Sequence, residues 1–239
     1  MSRRPDPERP TRSTARLSRE AIVEAGIALA DREGLDAVSM RRLGAELGAN
    51  PMSLYHHVGD KDGLLGAMVD AVVGRIAPGW PGPGEPAAWT DELRSLILAA
   101  RGVMVAHRWA VDLILQRPAA GAVLVHIERL LAILRGAGCD VGLSHDALHL
   151  LGSRMLGFNQ DPFTVPKGQE AGTPERAALY RAWAETFPRI VEMATAAAHG
   201  GGMGGCDDDA EFAFALDVLL DGLERRRVAE ASVAGGRTT

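Results

Sequence analysis

Asn50, Ser53, Tyr55 and His57 bring an amide, a hydroxyl, a phenol and an imidazole into one short stretch, with Met52 among them and Arg41 and Lys61 on either side. Such groups hydrogen-bond to base edges and phosphate oxygens, and the two cations answer phosphate charge. Catalytic arrangements have no comparable support. The sequence holds no G-x-S-x-G, no H-E-x-x-H and no P-loop. The glycine run 200–205 follows no strand, so it reads as a flexible connector rather than a dinucleotide or phosphate cradle. No enzyme activity is expected.

Short helices must hold these groups. From Ser18, a plausible N-cap, Ile22, Ala25, Gly26, Leu29 and Ala30 recur at helical spacing up to Gly34, which reads as a left-handed stop. Ser39 caps a second helix carrying Leu43 and Leu47 and ending at Gly48. Asn50 caps a third, about 51–58, with Pro51 at the first position, where its missing N–H costs nothing. Asp60 starts a fourth, with Leu64, Leu65, Met68, Val72, Val73 and Ile76 in helical period. Leu43, Leu47, Leu54 and Val58 can pack the second helix on the third across Gly48-Ala49, the outline of a helix-turn-helix. In that unit the third helix enters the major groove by its N-terminal end.

Strand-like alternation is nearly absent, so the fold class is all-α. Net charge is -5, yet Arg3, Arg4, Arg9, Arg12, Arg16 and Arg19 crowd the start. Residues 1–16 read as a disordered basic arm and 17–76 as the DNA-binding domain with its connecting helix. The stretch 77–86, with its four Pro and three Gly, cannot continue a helix and forms a linker. Residues 87–231 form the larger domain, with helices about 87–107, 109–116, 119–137, 144–160, 174–198 and 207–228, and 232–239 reads as a disordered tail. No apolar run approaches the roughly 18 residues of a membrane span, and the basic start has no apolar signal core, so a cytoplasmic protein without a membrane partner is expected. Cys139 and Cys206 are too few and too far apart for a disulfide framework or a four-ligand zinc site.

The stretch LSREAIVEAGIALADREGLDAVSMRRLGAELGANPMSLYHHVGDKDGLL resembles the DNA-binding domain of the tetracycline-repressor (TetR-like) family over about 17–76. Its most specific pieces are S-M-R-R-L-G, L-G-A-N-P-M-S-L-Y-H-H-V and D-K-D-G-L-L. Phe212 to Glu224, FAFALDVLLDGLE, is more weakly similar to the last helix of the tetracycline-repressor subgroup. The resemblance implies a homodimer that binds a palindromic double-stranded operator and leaves it when a small molecule fills the C-terminal domain. Carried over by position, it puts phosphate and base contacts on Arg41, Pro51, Met52, Ser53, Tyr55, His57 and Lys61. One departure bears on the ligand. The magnesium-holding imidazole expected before the Arg-Pro turn is replaced by Leu113 in VDLILQRP, so no magnesium-tetracycline complex, no metal and no cofactor is expected.

Two further expectations concern the larger domain. Phe212, Leu216, Leu219, Leu220 and Leu223 form one stripe on the last helix, and Phe214, Ala215, Val218 and Gly222 form a second. A helix so apolar must be covered twice, so it and helix 144–160, with Leu148 and the small Gly152, are expected to pair with their two-fold mates in a four-helix bundle. The ligand site is expected among Met104, Trp109, Leu113, Met155, Phe158, Phe163, Trp183 and Phe187, with His107, Arg117, His149 and Asn159 as orienting polar groups and the 161–172 loop as entrance. These side chains suit a sizeable, largely apolar inducer. His145 and His149 have the i, i+4 spacing of metal ligands, but no third ligand is fixed, and Asp207, Asp208 and Asp209 read as first-turn residues favoured by the helix dipole. Two readings remain beside the inducible repressor. One is a DNA-binding activator or architectural protein with no small-molecule ligand; the other is a helical-bundle enzyme or carrier that merely retains the N-terminal domain.

Overall fold

The computed structural model describes residues 17–156, 174–196 and 208–235. Every regular element among them is helical: α1 Arg19–Glu33, α2 Met40–Leu47, α3 Pro51–Val58, α4 Lys61–Val73, α5 Trp89–Ala106, α6 Trp109–Gln116, α7 Gly121–Gly136, α8 Val141–Leu156, α9 Pro174–Ala184, α10 Pro188–Ala196 and α11 Asp208–Gly235. Two compact units result. The first joins 1–78 to 103–124, and the second joins 79–102 to 125–239. The linker expected at 77–86 does fall at a unit edge, but the first unit also claims the end of α5, all of α6 and the start of α7.

Local chemistry starts the helices of the first unit. The Ser18 hydroxyl accepts from the Ala21 amide at 3.1 Å, Ser39 from Arg42 at 3.3 Å, Asn50 from Met52 at 2.9 Å and Asp60 from Gly63 at 2.7 Å. Each bond satisfies an amide that the helix itself leaves unpaired, a contribution of about 1 kcal/mol. Gly48 ends α2 in the left-handed conformation, φ 63° and ψ 28°. Gly34 also takes positive φ, 85°, but its ψ of 166° lies outside the left-handed helical region expected there. Ile22, Leu29, Leu43, Leu54, Leu64 and Met68 are fully buried, each worth about 2 kcal/mol relative to exposure.

Other bounds depart from expectation for physical reasons. Pro188 lacks the N–H that a continuous 174–198 helix would need and disfavours helical backbone at Phe187, so α9 and α10 are separate. The last helix continues to Gly235, so 232–235 is helix rather than tail. The expected basic arm, the 161–172 loop, the glycine run, Phe158, Asn159, Phe163, Cys206 and Asp207 lie outside the described residues.

Candidate nucleic-acid interface

The turn between α2 and α3 is tight enough to demand glycine. A Cβ at Gly44 would stand 2.8 Å from the Ala49 carbonyl oxygen and 3.1 Å from Pro51 Cγ. With that close approach, Leu54 and Val58 turn inward at 0% and 3% exposure, while Met52 is 64% and Tyr55 39% exposed. Helical geometry puts His56 on the same outward face as Met52 and Tyr55, and it too is exposed.

His57, the histidine expected to touch DNA, is also exposed, and its main chain lies near the start of α1. Arg19 donates to its carbonyl at 3.2 Å. Its charge also adds to the lowering of the Glu20 carboxyl pKa, which is due first to the residue's own backbone amide and then to Ser18. Two adjacent imidazoles are equivalent in a string and differ only by a 100° turn of the helix, so the string does not say which of His56 and His57 shares the face of Met52 and Tyr55. Asn50 spends its carbonyl oxygen on the α3 cap, leaving its amide N–H groups for a ligand. Ser53 and Pro51 sit half-buried beside that face.

The cations sort themselves. Arg32 pairs with Glu46 at 2.8 Å, Arg42 with Glu33, and Arg75 with both oxygens of Glu24 at 2.7 and 2.8 Å. Arg41 and Lys61 are exposed and have no ion pair among the described residues. Lys61 opens α4, so its charge adds to the positive end of that helix. At the same corner a Cβ on Gly63 would lie 2.4 Å from the Val58 carbonyl oxygen, so the α3–α4 corner also requires glycine.

Several residues expected to touch a ligand make contacts within this unit. Trp109 Nε1 donates to Asp31 at 2.7 Å, and His107 Nδ1 lies 2.9 Å from the same carboxylate. The Arg75 guanidinium stands 3.1 Å from His107 Nε2. A carboxylate only accepts and a guanidinium only donates, so the ring is the Nδ1–H tautomer. Arg117 binds the Asp62 carboxylate and also its carbonyl. Asp70 accepts from the Ala122 amide at 2.9 Å. The segment that ends α5 and carries α6 is thereby fastened to α1 and α4 by side chains far away in sequence. Met104 and Leu113 are buried in the same unit.

The second unit holds the rest of the expected ligand set. Met155 and Trp183 are half-buried, Phe187 is 47% exposed, and His149 is exposed with its ring 4.5 Å from His145. An open depression of about 390 Å³ beside the α7–α8 turn, lined by Gly138, Asp140, Arg227, Glu230 and Val233 among others, shares no residue with that set. No group of three or more metal-ligating side chains occurs among the described residues.

The expected interface stripe on α11 is corrected by burial. Phe212, Leu216, Leu220 and Leu223 are 0–4% exposed within one chain and have no area left for a partner. Phe212 lies under two guanidinium groups, Arg101 at 4.3 Å and Arg154 at 5.0 Å from its ring centre. The opposite stripe stays open, with Phe214 70% and Val218 50% exposed and Ala215, Leu219 and Gly222 half-buried. Leu148 and Gly152 on α8 are half-buried.

With this geometry, comparison with known proteins is decisive. The family model for tetracyclin repressor-like C-terminal domains matches residues 82–227, and that for bacterial regulatory proteins of the tetR family matches 22–68. The chain belongs to the TetR family. An HTH-type transcriptional regulator of Saccharopolyspora erythraea is 37% identical over 192 residues, covering 76% of this chain and 80% of that protein. The repressor DrrR1 of Streptomyces coeruleorubidus is 28% identical, covering 91% and 80%. Apo ActR of Streptomyces coelicolor superposes with a TM-score of 0.68 at 26% identity over 90% of this chain and 98% of its own. ActR has also been solved with actinorhodin, with a TM-score of 0.65 at 27% identity over 89% and 99%. As a TetR-family regulator the chain is an all-α protein with a DNA-binding helix-turn-helix followed by a helical C-terminal domain. No single described helix is long and apolar enough to cross a membrane.

Proposed function

We propose that this chain is a homodimeric transcriptional repressor, acting in the cytoplasm, that binds a palindromic operator and is released by a small, largely hydrophobic inducer. The observation that carries the DNA reading is the outward face of α3, Met52, Tyr55 and His56, flanked by Arg41 and Lys61, exposed cations with no ion pair among the described residues. Asn50, Pro51 and Met52 lead that helix into the major groove, where Met52 offers apolar contact to a thymine methyl and the Asn50 amide reaches a base edge. Ser53 and Tyr55 suit phosphate, as do Arg41 and Lys61, and His57 supports the backbone side of the contact.

Two-fold pairing is supported by the open stripe of α11, Phe214 and Val218 between the small Ala215 and Gly222, in line with half-buried Leu148 and Gly152 of α8. Induction is supported by the ActR complex with actinorhodin, and by the way α6 is tied to α1 and α4. A guest that moves α6 pulls on both helices, because Asp31 of α1 holds His107 and Trp109 and Asp62 of α4 holds Arg117. Only a guest that binds the two arrangements unequally would shift their balance.

Fluorescence anisotropy of the full chain on duplex DNA from upstream of its own gene tests the reading. Expected are sequence-selective binding, a steep loss of affinity with salt, and release by apolar compounds with or without EDTA. Equal affinity for unrelated duplex, or release that requires a metal, would overturn it.

A further inference from the structure

α7 packs into the second unit along one seam, His126, Leu130, Ile133 and Leu134, at the i, i+4, i+7, i+8 positions of a buried helix face. Three of the four are the residues such a seam wants. The first is an imidazole, only 7% exposed, and neither its Nδ1 nor its Nε2 has a hydrogen-bond partner among the described residues. Leucine would fill this place at no polar cost. Burial, and after it the charge of Arg129, pushes the His126 pKa down to about 4. At neutral pH the ring therefore offers one N–H donor and one lone pair, with no charge.

Buried polar atoms in folded proteins are almost always bonded, and a wholly orphaned pair calls for a missing partner. We propose that His126 is the specificity-determining anchor of the effector site, where it binds the hydroxyl group of an otherwise apolar guest. A hydroxyl is the smallest group that answers a neutral imidazole both ways, donating to the lone pair or accepting from the N–H. A site built to bond such a group discriminates against the analogue that lacks it, because the ring is then left unpaired. The inference rests on the inducer reading above and adds the polar group that the guest must carry.

The test uses the full-length protein and a matched pair of probes, 2-naphthol and naphthalene, with binding followed by ligand-observed NMR. The wild type should bind 2-naphthol at least tenfold more tightly. His126→Leu should erase that preference while its unliganded melting temperature stays level or rises, and His126→Gln, which keeps a donor and an acceptor, should retain part of it. No preference in the wild type, a preference that survives His126→Leu, or a fall of several degrees in the melting temperature of His126→Leu would overturn the proposal. Anisotropy on operator DNA keeps the two readings apart. His126-dependent naphthol binding that leaves the DNA complex intact at saturation counts against the inducer reading alone. Inducible release that is the same in wild type and His126→Leu counts against the anchor alone.

Discussion

The α2–α3 corner and the α7–α11 region handle polar and apolar groups in opposite ways. At the corner Leu54 and Val58 point inward, Ser39 and Asn50 each cap a first-turn amide, and what faces water is mostly polar: Tyr55, His56 and two cations with no ion pair among the described residues, beside the single apolar Met52. In the second unit the mismatch is reversed, with apolar Phe214 and Val218 exposed and polar His126 buried without a hydrogen-bond partner among the described residues. A region that is complete by itself presents a surface to a partner of fixed chemistry, the DNA backbone. A region that is incomplete by itself leaves room for the second copy and the guest proposed above.

That contrast can be broken from either side. The largest effect is expected from Gly63→Val, whose Cβ would collide with the Val58 carbonyl. It should cost about 3 kcal/mol or more and abolish DNA binding, while sedimentation still finds a dimer. Acid acts on the other region. Because the His126 pKa is about 4 when folded and near 6.5 when unfolded, the unfolded chain takes up the proton first as pH falls. Stability is therefore full above pH 6.5 and is lost as pH drops through 4, by up to about 3 kcal/mol. Urea melts across this window should give that slope in the wild type and a correspondingly smaller one in His126→Leu.

Assembly should respond next. Phe214→Glu together with Val218→Glu should weaken dimerisation about a hundredfold, near 2.7 kcal/mol, by sedimentation equilibrium, with the helical circular dichroism retained. The smallest effects belong to Arg41→Ala and Lys61→Ala, each lowering operator affinity about tenfold and the salt slope by about one. Wild-type salt slopes in both would remove phosphate from their roles.

The first region was legible because its determinants are local. Ser39, Asn50 and Asp60 each cap an amide two or three residues on, and Pro51 marks the start of α3 in the string itself. Periodicity also fixes α6 at Trp109–Gln116. What it cannot fix is rotation: on α11, apolar on two sides, it does not say that Phe212 faces in and Phe214 out. Nor can it say that His107, Trp109 and Arg117 answer Asp31 and Asp62, carboxylates 55 to 78 positions away. Pro188 is different, since its break was written locally in the sequence.

The clasp of Asp31 on His107 and Trp109 also sets an order of events during synthesis. The first unit is made of 1–78 and 103–124, so the ribosome must produce all of 79–102, a piece of the second unit, before the first can close. Until then Asp31 and Asp62 have no His107, Trp109 or Arg117 to bind. For the same reason, a chimera joined at residue 78 would carry a reading head whose fastenings were evolved for another chain.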